Sequence, residues 1–336
     1  MRRSSITLLL LLAALVVLLM GVSSDQGAPV DALSSVHGRV GIYLTSYALT
    51  RPGLLDTVLA QARAGKINAV VINVKNMHGE VTYKSAVPLA RQIGAVTGLL
   101  DLRALLPRLH GAGIYVIARQ VLFYDPKLAA HLGVSGDWVS PDTEAVAAYN
   151  LAIAQEVAAL GFDEIQFDYV RYPDGGQLVA AYADRYAAID RFLSTARQLL
   201  SGRVALSADV FGRVMWEWNK KRIDPIGQSL EDIAGYVDCV SPMLYPSHYS
   251  EQRYKNDPYL VVSVALKTGE ARVTTPVRPF LQAFEMDIPS TMSYEDYIRA
   301  QILAAQEHGA DGYLFWNPSC EYTALFRVLT PLVASH

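Results

Sequence analysis

Cysteine is nearly missing from this chain: Cys239 and Cys320 are the only two in 336 residues. Two thiols cannot build a disulfide scaffold. They leave one bridge or two buried free thiols as the choices. A charge excess of one sign is missing as well. There are 29 Lys and Arg against 32 Asp and Glu, a net charge of −3 with no block of like charge. That excludes a nucleic-acid surface. The seven His are scattered, with no HxH or HExxH pair to mark a metal site. No GxGxxG or P-loop follows a strand, and no GxSxG elbow is present, which argues against a nucleotide fold and a Ser-His-Asp hydrolase. No cofactor and no metal are expected.

What is present is a globular composition, 51% hydrophobic and 18% charged. Part of the apolar excess sits at the start. Arg2 and Arg3 precede the unbroken apolar run Ile6–Met20, and small residues follow to Ser24. Residues 1–24 read as a secretory signal peptide or, if uncleaved, as a membrane anchor through residues 6–20. No cysteine follows for lipid attachment. Residues 25–37 read as a flexible leader, and 38–336 as one domain working outside the cytoplasm, secreted or tethered.

Within that domain a strand-then-helix alternation repeats about eight times. Expected strands are 41–47, 69–76, 114–123, 164–170, 204–210, 237–244, 277–284 and 312–317. Helices are expected between them, with Asp101 capping one that Pro107 should kink or shorten. Residues 78–94 read as a polar connection with hairpin character at 80–83, and 125–140 as a loop. This order and size predict an α/β fold, the TIM (β/α)8 barrel. An open doubly wound sheet is the runner-up.

The stretch Gly161–Asp174, GFDEIQFDYVRYPD, is the densest in chemistry. Ile165, Phe167 and Tyr169 share one face of a strand, and Glu164, Gln166 and Asp168 the other. A face of carboxylates and amide does not suit a dry core, so it should look into a functional space. Asp168 stands at the C-terminal end of its strand, where such barrels keep their chemistry. Asp209 ends the next strand. Other strand ends add Tyr43, Tyr47, Lys75, Asn76, Arg119, Arg171, Tyr245, His248, Gln282, Glu285, Trp316 and Asn317. A carboxylate pair amid aromatics, amides and Arg suits sugars: rings stack on pyranoses and a carboxylate pair divides nucleophile and acid roles. Asp168 and Asp209 are the expected catalytic pair, and the others, Tyr47 apart, the expected substrate contacts. Arg119 and Lys75 are expected beside Asp168, keeping it ionised. Lys75 could alternatively form a Schiff base.

The segments GFDEIQFDYVRYP, SADVFG, VSPMLYPSHY, RPFLQAF and GYLFWNPS, in this order, resemble the family of "putative glycosyl hydrolase domains", secreted bacterial barrels related to α-amylase-like and polygalactosaminidase barrels. The resemblance spans about residues 41–326. It implies a TIM barrel and a glycosidase acting on a polysaccharide or oligosaccharide, with the fourth-strand carboxylate, Asp168, catalytic and Asp209 as its partner. The chain departs from the family pattern at Asn73, Asn76 and Ala283, where acidic residues are expected. Two rival functions follow: an inactive carbohydrate-binding barrel, and a metal-dependent polysaccharide deacetylase.

Overall fold

A computed structural model describes residues 36–175 and 180–332 of the chain. The targeting segment 1–24, the leader up to residue 35 and Gly176 of the turn lie outside the described residues. The last two leader residues do not behave as leader. Val36 is fully buried against Ala205 and Cys239, and His37 pairs with Asp311. The folded unit therefore begins by residue 36.

Eight parallel strands close into a barrel: β1 (Arg39–Leu44), β2 (Ala69–Lys75), β5 (Tyr115–Val121), β6 (Glu164–Asp168), β7 (Ala205–Phe211), β8 (Cys239–Met243), β9 (Phe280–Gln282) and β10 (Gly312–Trp316). Closure comes from β1 pairing with both β2 and β10. The runner-up open sheet is thereby excluded. AVVINVK of β2 is buried at every position, as expected of a parallel strand covered on both faces. The odd face out is filled by helices, and the outer apolar layer joins Ile42, Ile72, Val116, Ile165, Leu206, Val240 and Phe315 in one core.

The hairpin expected at 80–83 is present as β3 (Val81–Tyr83), antiparallel to β2, and three local departures accompany it. A strand not expected, β4 (Val96–Leu100), pairs with β3 and extends the sheet beyond β2. The expected loop 125–140 contains the helix Pro126–Leu132, started by Asp125 accepting from Leu128 N at 2.9 Å with Pro126 in the first turn. The helix Leu102–His110 runs on past Pro107, capped as expected by Asp101.

The lumen is unusual for its floor. Arg278 and Glu164, both with fully buried side chains, pair at 2.5 Å. Tyr115 donates to the other Glu164 oxygen at 3.1 Å, and Ser207 also donates to Glu164. Gln166 donates to Ser241 at 3.2 Å, and Val71, Ile117, Leu314 and Phe280 belong to one apolar cluster inside the barrel. Polar residues on the β6 inner face are thus neutralised in the lumen, and the third of them, Asp168, reaches the mouth. Cys239 and Cys320 are both free and buried.

Candidate active site

Asp168 and Asp209 arrive at the mouth because β6 and β7 run in register, Phe167 opposite Ala208, one position before each carboxylate. Arg119 comes up from the adjoining β5. Its Nε donates to Asp168 Oδ2 at 2.8 Å, and Nη2 donates to the same oxygen. Its Nη1 donates to Asn73 at 2.8 Å, and Asn73 donates to the Tyr43 hydroxyl at 2.7 Å. The other Asp168 oxygen accepts from Tyr169 N at 2.6 Å. Asp168 is therefore held on both oxygens.

Asp209 is not held in this way. Its Oδ2 lies 4.0 Å from Arg119 Nε, and its Oδ1 has no hydrogen-bond partner among the described residues. Burial pushes its carboxyl well above the usual range, and the charge of Asp168 adds to this, while Arg119 and Arg278 oppose it. Both carboxylates are nearly enclosed, at 5% and 2% exposure. The two Oδ2 atoms stand 2.8 and 4.0 Å from one nitrogen. These two oxygens can be no farther apart than the sum of those distances, so the two carboxyl groups share one narrow site.

Over this pair opens a cleft of about 870 Å³. Of the residues expected there, Arg119, Asp168, Arg171, Asp209, Tyr245, His248 and Trp316 line it. Trp316 lies flat on Tyr43, ring centres 3.8 Å apart, so Tyr43 supports the wall from beneath. Arg119 sits 5.0 Å from the Trp316 ring centre. The Tyr245 hydroxyl is kept protonated well above its usual value by burial, then by Asp209 and Asp168. It is a neutral donor beside the pair.

The other expected contacts are elsewhere. Lys75 should share the inner face with Asn73 by strand alternation. A bulge between them puts Asn73 opposite Arg119 and Lys75 opposite Gln120, which turns the lysine outward. There it is fully buried, paired with Asp125 at 2.7 Å and donating to Val121 O, Leu122 O and Asn150. It is neither beside Asp168 nor free to form a Schiff base. Asn76 accepts from His78 N and Glu80 N and folds the turn between β2 and β3. Gln282 is used up by Ser247 N, Tyr297 and the carbonyls of Phe284 and Met286. Asn317 ties Ala283 O to Glu321 O. Glu285 is exposed beyond the cleft lining, as is Tyr47.

Several lining residues went unread in the sequence. Tyr169 is one. Alternation put it on the outer face with Phe167, but its φ of 51° ends the strand at Asp168 and swings the ring into the cleft. Trp216, Trp218, Tyr249 and Tyr254 form the opposite wall. The signal for them was the aromatic density of the loops after β7 and β8. Gly212 lies on the floor, where a Cβ would come 2.3 Å from the Tyr249 hydroxyl. Among the described residues no group of three or more His, Cys, Asp or Glu gathers to hold a metal, so the deacetylase reading finds no ligand set.

A family model described as "Putative glycosyl hydrolase domain" matches residues 41–322. No curated protein matches the chain. Among solved structures, the PgaB glycoside hydrolase domain of Bordetella bronchiseptica is similar over 88% of this chain and 99% of its own, at 14% identity and a TM-score of 0.65. An endo-1,4-β-D-mannanase of Thermotoga petrophila matches 83% of this chain and 87% of its own, at 13% identity and TM-score 0.57. A chitinase of Rhizomucor miehei matches 87% and 98%, at 13% identity and TM-score 0.55. At such identities these likenesses speak for the barrel alone.

Proposed function

The chain belongs to the family described as "Putative glycosyl hydrolase domain", and from that membership we propose that it is a secreted glycoside hydrolase cleaving an extracellular polysaccharide with Asp168 and Asp209. The observation that carries the assignment is the opposite treatment of two carboxylates around one guanidinium. Asp168 has both oxygens hydrogen-bonded by Arg119 and Tyr169 N, which stabilises and aims a carboxylate. Asp209 is buried and lacks a partner on Oδ1 among the described residues, and burial keeps its proton on to a higher pH than an ordinary carboxyl. A carboxylate aimed by hydrogen bonds on both oxygens, beside a carboxyl that burial keeps protonated, suits a nucleophile and an acid.

In this reading Asp168 attacks the anomeric carbon while Asp209 protonates the departing glycosidic oxygen. The covalent glycosyl-enzyme is then opened by water, with Asp209 returning as base and configuration retained. Arg119 stays with Asp168 through the cycle. Trp316, braced by Tyr43, offers one flat face for a sugar ring, and the Trp216 and Tyr254 side of the cleft a second. Secretion belongs to the same proposal and is supported by the basic, then apolar, then small-residue order of residues 2–24.

The test is a panel of polysaccharides incubated with the protein and with Asp168→Asn, followed by analysis of released oligosaccharides. Release by the parent, lost in the variant, is expected. Binding without release from any polymer would replace this reading with a carbohydrate-binding barrel.

A further inference from the structure

Three guanidinium groups line the cleft, and two already have carboxylates. Arg119 is bonded to Asp168. Arg213 holds Asp174 at 3.0 and 2.7 Å and Asp224 at 2.9 and 3.0 Å. Arg171 is different. Among the described residues its hydrogen bonding is one donation, Nη1 to Tyr172 O at 3.0 Å, and no carboxylate stands within ion-pair reach. Aromatic faces hold it in place instead. Its Cζ lies 4.5 Å from the Phe211 ring centre, 4.6 Å from Trp138 and 5.1 Å from Tyr169.

Rings fix the plane of a guanidinium but accept none of its N–H groups. Arg carries five such donors, and here most remain without an acceptor. Burial pulls Arg171 below the usual arginine value, with the more distant charges of Asp168 and Asp174 opposing the change. A half-buried cation of this kind carries a desolvation cost that a bound anion offsets. The fork is planar, pre-oriented and open to the cleft, which is the geometry that takes a carboxylate through two parallel hydrogen bonds. A neutral hydroxyl would leave the charge unanswered. Tyr169, part of the aromatic setting, is also the residue whose N–H binds Asp168. Arg171 also lines the same cleft as Asp168 and Asp209.

We propose that Arg171 is the carboxylate-binding residue of a sugar subsite, and that the substrate is an acidic polysaccharide carrying a uronic acid, or another sugar-linked carboxylate, next to the bond that is cut. This rests on the glycosidase reading above and narrows it. The Phe211, Trp138 and Tyr169 rings set the orientation of the fork. Arg119 and Arg213 take no part, because their donors are committed to protein carboxylates.

The experiment measures binding and hydrolysis separately. Oligosaccharides of polygalacturonate, alginate and hyaluronan, each beside its carboxyl-reduced form, are titrated calorimetrically into the full chain at one low ionic strength. The acidic form of at least one pair should bind about 10–100-fold more tightly than its reduced form, the worth of a charge-assisted pair. Arg171→Gln should erase that ratio, lowering affinity for the acidic form at least about 10-fold more than for the reduced form. Arg171→Lys, which keeps the charge without the fork, should restore part of it. Equal affinity for acidic and reduced forms, binding of none of the acidic ligands, or an Arg171→Gln loss equal for both forms overturns the proposal. If Arg171→Gln does not fold, the parent protein's ratio alone decides. Cleavage of neutral polymers without a carboxylate preference keeps the glycosidase reading and removes this one. A carboxylate preference with no cleavage of any polymer removes the glycosidase reading and the cut bond with it, and leaves Arg171 as the anion contact of a binding cleft.

Discussion

Asp168 and Asp209 flank one guanidinium, yet Arg119 Nε is 2.8 Å from an oxygen of the first and 4.0 Å from the nearest oxygen of the second. That difference of a little over one bond length separates a charge-assisted hydrogen bond from a through-space attraction. It leaves Asp209 with burial as its dominant influence. Two identical side chains on adjacent strands thereby acquire different chemistry.

The first prediction follows from that division. Asp168→Asn should lose turnover by about 10³-fold or more on every substrate the parent cleaves. Asp209→Asn should lose about 10²–10⁴-fold on natural glycosides but far less on an activated aryl glycoside, whose leaving group needs little protonation. Initial rates on the two substrate types check this. Equal losses for Asp209→Asn on both would remove it from the acid role.

Arg119 gives the second. Its charge pulls the Asp209 carboxyl down against burial. Arg119→Met removes that pull, so Asp209 should keep its proton to higher pH. The alkaline limb of kcat/KM on the aryl glycoside, which reports loss of the protonated acid, should move up. A limb that stays put or moves down contradicts the assignment.

The third concerns stability. Asp209 holds its proton more tightly folded than unfolded, so it favours the native state below the unfolded-chain pKa of about 3.9. That contribution is lost as the pH climbs through the raised native value. Asp209→Asn has no such loss. Its Tm relative to the parent should rise as the pH is raised above about 4, by about 2–4 °C for each kcal/mol recovered. Parallel Tm curves across that range would show that the buried carboxyl is not raised.

Lys75 gives the fourth. It and Asp125 form a pair with both side chains fully buried. Lys75→Met should cost about 3–5 kcal/mol, because Asp125 is left as an unpaired buried charge. Adding Asp125→Asn, which removes the charge and keeps the helix cap, should restore much of this. The pH dependence of kcat/KM in the folded protein should not change, which separates a structural lysine from a catalytic one. A shifted pH profile in Lys75→Met would return it to the site.

The barrel and its mouth were legible because their signals are periodic. Apolar runs such as AVVINVK and carboxylates one residue before a loop survive any detail of packing. Single-residue switches were not legible. The bulge between Asn73 and Lys75 reverses a face without altering composition. The left-handed backbone of Tyr169 does the same at a residue with no Gly or Asn to announce it. Gln282 and Asn317 were misplaced for another reason. An amide at a strand end serves a ligand or a loop carbonyl equally well, and only the fold shows which acceptor is nearer. The strand at Val96–Leu100 was hidden by Gly98, a residue that usually weakens one.

Ring closure also has a meaning in time. β1 borders β10, with Arg39 opposite Gly312, so the first strand to leave the ribosome meets its last neighbour only near the end of synthesis. Until then β1 keeps a bare hydrogen-bonding edge, the kind of surface on which nascent chains join one another. The final join tolerates almost nothing extra: a single added carbon at Gly312 would stand 2.2 Å from the Arg39 carbonyl oxygen. Closing the ring in time thus depends on a residue with no side chain, at the opposite end of its strand from the cleft.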